Sequence, residues 1–243
     1  MALTDAATTP SAPALGILGG MSWHSTAEYY RLLNTAVAER LGGHHSARLL
    51  LASVDFDDVR RLQLDSDWEG AGALLAERAA GLARGGADAV LIATNLMHKV
   101  APAVEAAVGV PLLHIADAVA DAAKARGLTR LGVIGSGWVM TETFYEERLA
   151  RHGIEVVRPA AGWADDAATV DRVVFDELTR GEVRAASRDA VVRVLDRLAA
   201  AGAEGVVLGC TELDLLLDED VSPLPLVDST AAHVGAAVRF LLG

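Results

Sequence analysis

The chain has 243 residues, of which 52% are hydrophobic, and its formal net charge is −12. An acidic chain is a poor partner for nucleic acids or anionic membranes, because binding to phosphates needs clustered Lys and Arg. Its single cysteine can form neither an internal disulfide nor a cysteine-rich zinc site, which is typical of a reducing compartment. No apolar run reaches the roughly 18 residues of a membrane-spanning helix, so we expect a soluble cytoplasmic protein.

The first half of the chain alternates short apolar runs with amphipathic stretches. Residues 1–14 lack the basic start and apolar middle of a signal peptide, and we expect a loose leader there. The following strands are continuously apolar, which is typical of a parallel sheet covered on both faces. The predicted elements are a strand at 15–18, a turn at Gly19 and Gly20, a helix from about 25 to 41, a strand at 48–54, a helix at 68–85, a strand at 90–92, a helix at 102–108 and a strand at 111–115.

The second half repeats this order and adds a final helix. Its predicted elements are a strand at 131–134, a glycine turn at 135–137, a helix at 143–152, a strand at 155–157, helices at 170–180 and 183–201, strands at 206–208 and 224–227, and a helix at 230–242. The final helix has no strand of its own and could pack on the first half. We therefore expect an α/β fold of two lobes packed together, formed by residues 15–117 with 230–243 and by residues 118–229.

Two segments of the chain are copies of each other. GADAVLIATNLM at 86–97 aligns with GAEGVVLGCTEL at 202–213 at an offset of 116 residues, and LGILGGMS aligns with LGVIGSGW at the same offset. Two matches at one offset indicate an internal duplication. The alignment places Thr94 opposite Cys210, each just after a predicted strand. Because ligands of parallel α/β sheets bind beyond the carboxyl ends of the strands, we expect an active site between the lobes with these two residues on opposite sides.

Cys210 has two interpretations. A free cysteine is often only a small buried hydrophobic residue. Here, however, Cys210 follows a strand, and Thr211 at a helix start comes next. A helix N-terminus is expected to lower the pKa of the thiol from its usual value of about 8.5 and to favour the thiolate, which supports a functional interpretation.

The polar neighbours and the glycine turns limit the possible cofactors. His98 could orient a substrate or be structural, and Glu212 could cap a helix or face the cleft. The glycine turns do not form GxGxxG, so a nicotinamide cofactor is not predicted. Pyridoxal phosphate needs a Schiff-base lysine, and neither Lys99 nor Lys124 lies in a suitable setting. No grouping of His, Cys and acidic residues predicts a metal site.

Six motifs cover nearly the whole chain from residue 15: GGMSWHST (19–26), YYRLLN (29–34), SVDF (53–56), TNLMHKVAP (94–102), PLLHIAD (111–117) and GCTEL (209–213). Together they resemble the aspartate/glutamate racemases, the cofactor-independent members of the Asp/Glu/hydantoin racemase superfamily. The resemblance implies two Rossmann-like lobes related by a pseudo-twofold axis, with the substrate between them, and a tendency to form homodimers. In most members two cysteines flank the α-carbon of the substrate: one removes the α-proton and the other returns a proton to the opposite face.

This chain departs from that pattern at one of the two cysteines. Thr94 occupies the first position, and some family members also pair Thr with Cys. The resemblance implies that Cys210 is the base for the L enantiomer and that Thr94 is a proton donor on the opposite face, since a hydroxyl is too weak an acid to act as a resting base. The pair is therefore unequal, which predicts preferential attack on L substrates.

Substrate contacts are expected beyond the carboxyl ends of the strands, at Met21, Ser22, Asn95, Ser136 and Thr211. Leu96 and Glu212 join this set, and the resemblance adds Gln63, which matches a polar residue of the family. Backbone amides around three of them, Ser22, Asn95 and Thr211, would hold the α-carboxylate. The family often has glutamate in place of His24 and lysine in place of Thr169, so the group that binds the distal carboxylate stays open. Arg172, Arg60 and Arg61 are the candidates.

The sequence thus predicts a racemase, independent of pyridoxal phosphate, that acts on the small molecules L-aspartate or L-glutamate. Two alternatives stay open. A single cysteine without a partner thiol resembles the arylmalonate decarboxylase arrangement, in which the cysteine only delivers a proton. The chain could also be a non-catalytic amino-acid-binding protein that kept the cleft and lost the chemistry.

Overall fold

The structure is a computed structural model, and it describes residues 12–243. Residues 1–11 of the expected leader lie outside the described residues. At the start of the described chain, the backbone N–H of Ala14 donates to the Asp88 carboxylate at 2.7 Å. Within residues 12–243, no helix is both long and apolar enough to cross a membrane.

Two parallel four-stranded sheets form the centre of the molecule. The first contains β1 (Leu15–Gly19), β2 (Leu49–Ser53), β3 (Ala89–Ile92) and β4 (Leu112–Leu113) in the order β2-β1-β3-β4. The second contains β5 (Arg130–Gly135), β6 (Glu155–Val156), β7 (Gly205–Gly209) and β8 (Leu226–Asp228) in the order β6-β5-β7-β8. The two sheets have the same topology, as a duplication requires, and the prediction of a two-lobed parallel α/β fold is confirmed.

The helices cover both sheets. They are α1 (Trp23–Leu41), α2 (Phe56–Leu64), α3 (Trp68–Arg84), α4 (Ala101–Ala107), α5 (Ile115–Ala125), α6 (Gly137–Thr141), α7 (Phe144–Ala150), α8 (Trp163–Asp176), α9 (Ala185–Ala200) and α10 (Ser229–Leu242). Short 3-10 helices lie at Leu96–Val100, Leu178–Arg180 and Thr211–Leu215.

Several boundaries differ from the sequence prediction because polar residues cap helices where we expected loops or strand ends. The strand predicted at 111–115 is only two residues long, and α5 follows it because the His114 side chain accepts the N–H of Ala116 at 3.1 Å. The expected division of the lobes at residue 117 therefore falls inside a helix. Helix α2 was not predicted either; its cap is Asp55, which accepts the N–H of Asp57 at 3.0 Å.

The last helix of each half packs against the other half. In α10, Val234 and Val238 are buried in one cluster with Ile17 of the first sheet. In the other direction, α5 contacts α7 and β8 of the second half. At the C-terminal end of α5, the Arg126 guanidinium donates to the backbone carbonyl of Leu226. This exchange of helices holds the two sheets together around the space between their carboxyl ends.

Candidate active site

One cavity of about 660 Å³ lies at the carboxyl ends of β1, β3, β5 and β7, and both halves of the chain contribute to its wall. All the catalytic and substrate-contact residues predicted from the sequence line it: Met21, Ser22, Gln63, Thr94, Asn95, Leu96, Ser136, Cys210, Thr211 and Glu212. Because the duplication places matching strand ends at this space, residues far apart in the chain come together here.

The turn between β1 and α1 forms one side of the cavity. Gly20 adopts φ +94°, and a Cβ there would lie 2.1 Å from the carbonyl oxygen of Val54, so only glycine fits. The N–H of Gly20 donates to the Thr26 hydroxyl at 2.8 Å, and that hydroxyl donates to the Ser22 carbonyl at 2.9 Å. These bonds fix the N-terminus of the 19-residue helix α1, where Ser22 and Ser25 line the cavity. A helix N-terminus attracts anions, so this side suits a carboxylate.

Thr94 is held in place through its backbone. Its carbonyl accepts a hydrogen bond from Nδ1 of His98 at 2.8 Å, while Nε2 of His98 accepts the N–H of Ile115 at 3.1 Å. Burial, together with the neighbouring His114 and His233, holds the pKa of His98 well below its ordinary value, so the ring is neutral with its hydrogen on Nδ1. His98 is therefore a structural residue that positions the Thr94 peptide.

Asn95 joins the two halves beside Thr94. Its side-chain nitrogen donates to the Ser229 hydroxyl at 3.0 Å, and its side-chain oxygen accepts from the Tyr145 hydroxyl at 3.2 Å. All three residues are buried, and Tyr145 and Ser229 belong to α7 and α10. The Asn95 amide thus stabilises the contact between the halves as well as lining the cavity.

A chain of hydrogen bonds surrounds the thiol. Sγ of Cys210 donates to Oε2 of Glu212 at 3.0 Å, and the Thr211 hydroxyl donates to the same oxygen at 2.6 Å. The Thr211 oxygen lies 2.9 Å from the Ser25 hydroxyl, which therefore acts as the donor in that pair. Glu212 thus faces the thiol, and Ser25 links α1 to the second half at this point.

The prediction that a helix N-terminus lowers the thiol pKa is wrong. Burial raises the pKa of Cys210 well above its ordinary value, and the Glu212 carboxylate raises it further by its charge and by accepting the thiol hydrogen. The helix that follows is a single 3-10 turn, Thr211–Leu215, which has too few aligned peptides to offset these effects. The resting thiol is therefore protonated, and its hydrogen points at a carboxylate that can accept it.

Residues 18–237 match the sequence model of the Asp/Glu/hydantoin racemase family. The chain belongs to this family. A crystal structure from Yersinia pestis, provisionally assigned as an Asp/Glu racemase, is 44% identical with a TM-score of 0.89 and covers 95% of this chain and 100% of its own. An aspartate racemase homologue from Pyrococcus horikoshii OT3 is 30% identical with a TM-score of 0.81, covering 95% and 99%. Picrophilus torridus aspartate racemase, 19% identical with a TM-score of 0.69 over 93% of each chain, shares the fold. The resemblance seen in the motifs is confirmed.

The sequence left three arginines as candidates to bind a distal carboxylate, and none of the three lines the cavity. Arg172 and Arg61 are exposed, form ion pairs with neighbouring acidic side chains and do not line the cavity. Arg60 is also absent from the wall; its guanidinium lies over two aromatic rings and donates to Oε1 of Gln63 at 3.4 Å. Among residues 12–243, the Arg or Lys that does line the cavity is Arg180, which the sequence did not single out.

Two family positions and one hydroxyl complete the wall. His24 lines the cavity, whereas Thr169 lies on α8 away from it, with its hydroxyl donating to the Asp165 carbonyl at 2.8 Å. The Ser136 hydroxyl is buried at the cavity and has no hydrogen-bond partner within residues 12–243. Buried polar groups are rarely left unpaired, so this hydroxyl is suited to bind a polar group of a ligand.

Sequence reasoning missed Ser25 and Arg180. Ser25 could have been found, because it lies three residues after Ser22, the cap of α1, and so belongs to the same helix end. Arg180 could not have been found, because the sequence predicts one continuous helix at 170–180 and Arg180 is its last residue. The structure ends α8 at Asp176 and carries Arg180 on a separate turn.

Proposed function

We propose that the protein is a cofactor-independent racemase of acidic amino acids, aspartate or glutamate, in which Cys210 and Thr94 act on opposite faces of the α-carbon. The observation that carries the proposal is their placement: they follow β7 and β3, the matching strands of the two sheets, and they line one cavity. A substrate in this cavity would have one of these groups available to each face of its α-carbon.

Cys210 would act as the base for the L enantiomer. Its protonated thiol must first lose a proton, and Glu212, 3.0 Å from Sγ, is the acceptor. The substrate ammonium group would favour this transfer by stabilising the thiolate. The thiolate then takes the α-proton, and the electron pair left on carbon is delocalised into the α-carboxylate.

Thr94 would donate the proton on the other face. Its hydroxyl proton goes to the α-carbon, and the proton held by Glu212 returns through solvent to the Thr94 oxygen, so that the site regains its initial state. Within residues 12–243 the Thr94 hydroxyl makes no hydrogen bond, which leaves it free to face a substrate. A hydroxyl is a much weaker acid than a thiol, so the step at Thr94 is expected to be the slower of the two.

The N-terminus of α1 would hold the α-carboxylate. Ser22 and Ser25 line the cavity there, and the aligned peptides of a 19-residue helix stabilise negative charge at this end. More negative charge develops on the α-carboxylate as the carbanion forms, so the same amides would stabilise the transition state more than the ground state.

The experiment is α-proton exchange in D2O without added cofactor, followed by NMR with L-aspartate and L-glutamate. We expect exchange in the native enzyme and none in Cys210→Ala. Cys210→Ser serves as a matched variant, because it keeps a donor toward Glu212 but is a far poorer base, and it should also be inactive. Binding without exchange would favour the non-catalytic alternative. Loss of CO2 from a substituted malonate, with no exchange on either amino acid, would favour the decarboxylase.

A further inference from the structure

We infer that Arg180 binds the distal carboxylate of the substrate and thereby selects dicarboxylic over uncharged amino acids. The inference rests on the proposed function for the role of the cavity. The first observation is the charge of the wall: among the described residues that line the cavity, Arg180 is the only Lys or Arg. A second carboxylate in this space has no other permanently charged cation to bind.

The other arginines near the cavity already have partners. Arg172 contacts the Glu177 carboxylate at 2.9 Å, and Arg184 contacts the same carboxylate at 3.7 Å. Arg60 lies over the rings of Trp138 and Phe175. In contrast, Arg180 forms no ion pair within residues 12–243, and its side chain is exposed at the cavity wall. Its guanidinium keeps its donors for a ligand, and it can bind a carboxylate through two parallel hydrogen bonds.

Arg180 is carried on a turn that the fold holds in place. The buried Glu177 carboxylate accepts the Ser187 hydroxyl at 2.5 Å, and the Glu177 carbonyl accepts the N–H of Arg180 at 2.9 Å. Gly181, at φ +77°, ends the turn and donates its N–H to the Leu178 carbonyl at 2.9 Å. The turn Leu178–Arg180 also packs against the turn Thr211–Leu215 that follows Cys210. The exposed guanidinium is thus anchored through its backbone close to the catalytic turn.

The cavity wall also carries apolar surface from Val174, Phe175 and Leu178, which are near Arg180 in the chain, and from Leu215 of the facing turn. An unpaired carboxylate against such a surface would lose hydration without compensation. Arg180 supplies that compensation to a substrate carboxylate, whereas the uncharged amide of the same shape would gain much less from Arg180. The difference between an acid and its amide is therefore the most direct measure of what Arg180 contributes.

The test is calorimetric binding of L-glutamate, L-glutamine, L-aspartate and L-asparagine in a Cys210→Ala background, where no turnover occurs. With Arg180 present, we expect each acid to bind more tightly than its amide. Arg180→Met should weaken acid binding about 10- to 100-fold and leave amide binding nearly unchanged, which removes the preference. Arg180→Lys should keep part of the preference. Arg193→Met, which removes an exposed arginine of α9 away from the cavity, should change nothing.

The outcomes separate this inference from the proposed function. An acid-to-amide preference that survives in Arg180→Met, or the absence of any preference with Arg180 present, would overturn the inference even if native enzyme exchanges α-protons. Conversely, a preference that depends on Arg180 would uphold it even if no exchange occurs in the native enzyme. Exposure of Arg180 at the surface makes a folding defect of the methionine variant unexpected, and circular dichroism of both methionine variants checks this.

Discussion

Replacing Glu212 with glutamine should lower the pKa of Cys210 and at the same time lower the activity. In the native protein the Glu212 carboxylate disfavours the thiolate by its charge and by accepting the thiol hydrogen at 3.0 Å. Glutamine removes the charge and can donate to a thiolate. If Glu212 is also the group that takes the thiol proton, the variant has a more acidic thiol but no acceptor for its proton.

The size of the shift follows from the distance. Two unit charges 3.0 Å apart interact by about 5.5 kcal/mol at an effective dielectric constant of 20, which is an upper limit for this pair. A hydrogen bond to a charged group contributes about 1.5–3 kcal/mol, and the variant loses this stabilisation of the protonated thiol together with the charge. We therefore expect the Cys210 pKa to fall, and the α-proton exchange rate to fall about 100-fold, the lower range for loss of an acid–base group.

The chain has one cysteine, so the pH dependence of its alkylation by iodoacetamide reports the ionisation of this thiol alone. Asp214→Asn is the matched control, because Asp214 also raises the pKa of Cys210 by its charge but makes no hydrogen bond to the thiol. It should lower the thiol pKa less and keep most of the activity. A Glu212→Gln thiol that titrates at the native pH or higher would refute the electrostatic reasoning. A lowered pKa with undiminished exchange would show that another group takes the proton.

Two further predictions concern stability. Gly20→Ala should cost about 3 kcal/mol or more in the free energy of unfolding, because a Cβ there would lie 2.1 Å from a backbone oxygen at φ +94°. Gly162→Ala, at φ +77° in the left-handed region with open space around it, should cost only about 1 kcal/mol. Equal losses in urea unfolding would contradict this reasoning. Burial lowers the pKa of His114 to about 3 and that of His233 to about 4, while unfolded histidine titrates near 6.5. Below about pH 6.5 the unfolded chain therefore binds more protons than the native protein. The free energy of unfolding should fall as the pH drops, by about 2 kcal/mol per histidine at about pH 5. Equal free energies of unfolding at about pH 7 and about pH 5 would argue against buried neutral rings.

The positions of Thr94 and Cys210 followed from the sequence because they depend on the strand ends. The copies around Thr94 and Cys210 end their apolar runs at matching points, and parallel strands in both sheets bring those points to one edge. The apolar run of each strand therefore predicts which residues follow the strand. The glycine pair after the first strand likewise predicts a tight turn there, and Gly20 has a positive φ in the structure.

The electrostatics of the site did not follow from the sequence. Whether Glu212 faces the cleft or caps a helix depends on the backbone after Cys210, and the burial of the thiol beside the Glu212 carboxylate decides that its pKa rises. On spacing alone, Arg172 was a candidate to bind a substrate carboxylate, but in the structure it forms an ion pair with Glu177. Arg180 was not a candidate, because the sequence did not predict that the helix ends before it. These outcomes depend on side-chain contacts between elements, which periodicity does not encode.

The most direct test of the unequal pair is to compare deuterium entry with inversion in D2O, starting separately from L-aspartate and from D-aspartate. Because enantiomers have equal free energy, net conversion must be equally efficient in both directions, so the asymmetry shows only in exchange. Starting from the L form, Cys210 can remove and return a proton repeatedly, and deuterium should enter the remaining L-aspartate faster than D-aspartate forms. Starting from the D form, the L-aspartate produced should already carry deuterium while the remaining D-aspartate stays protiated. An identical ratio of exchange to inversion from both enantiomers would contradict the assignment of Cys210 as the fast base and Thr94 as the slow donor.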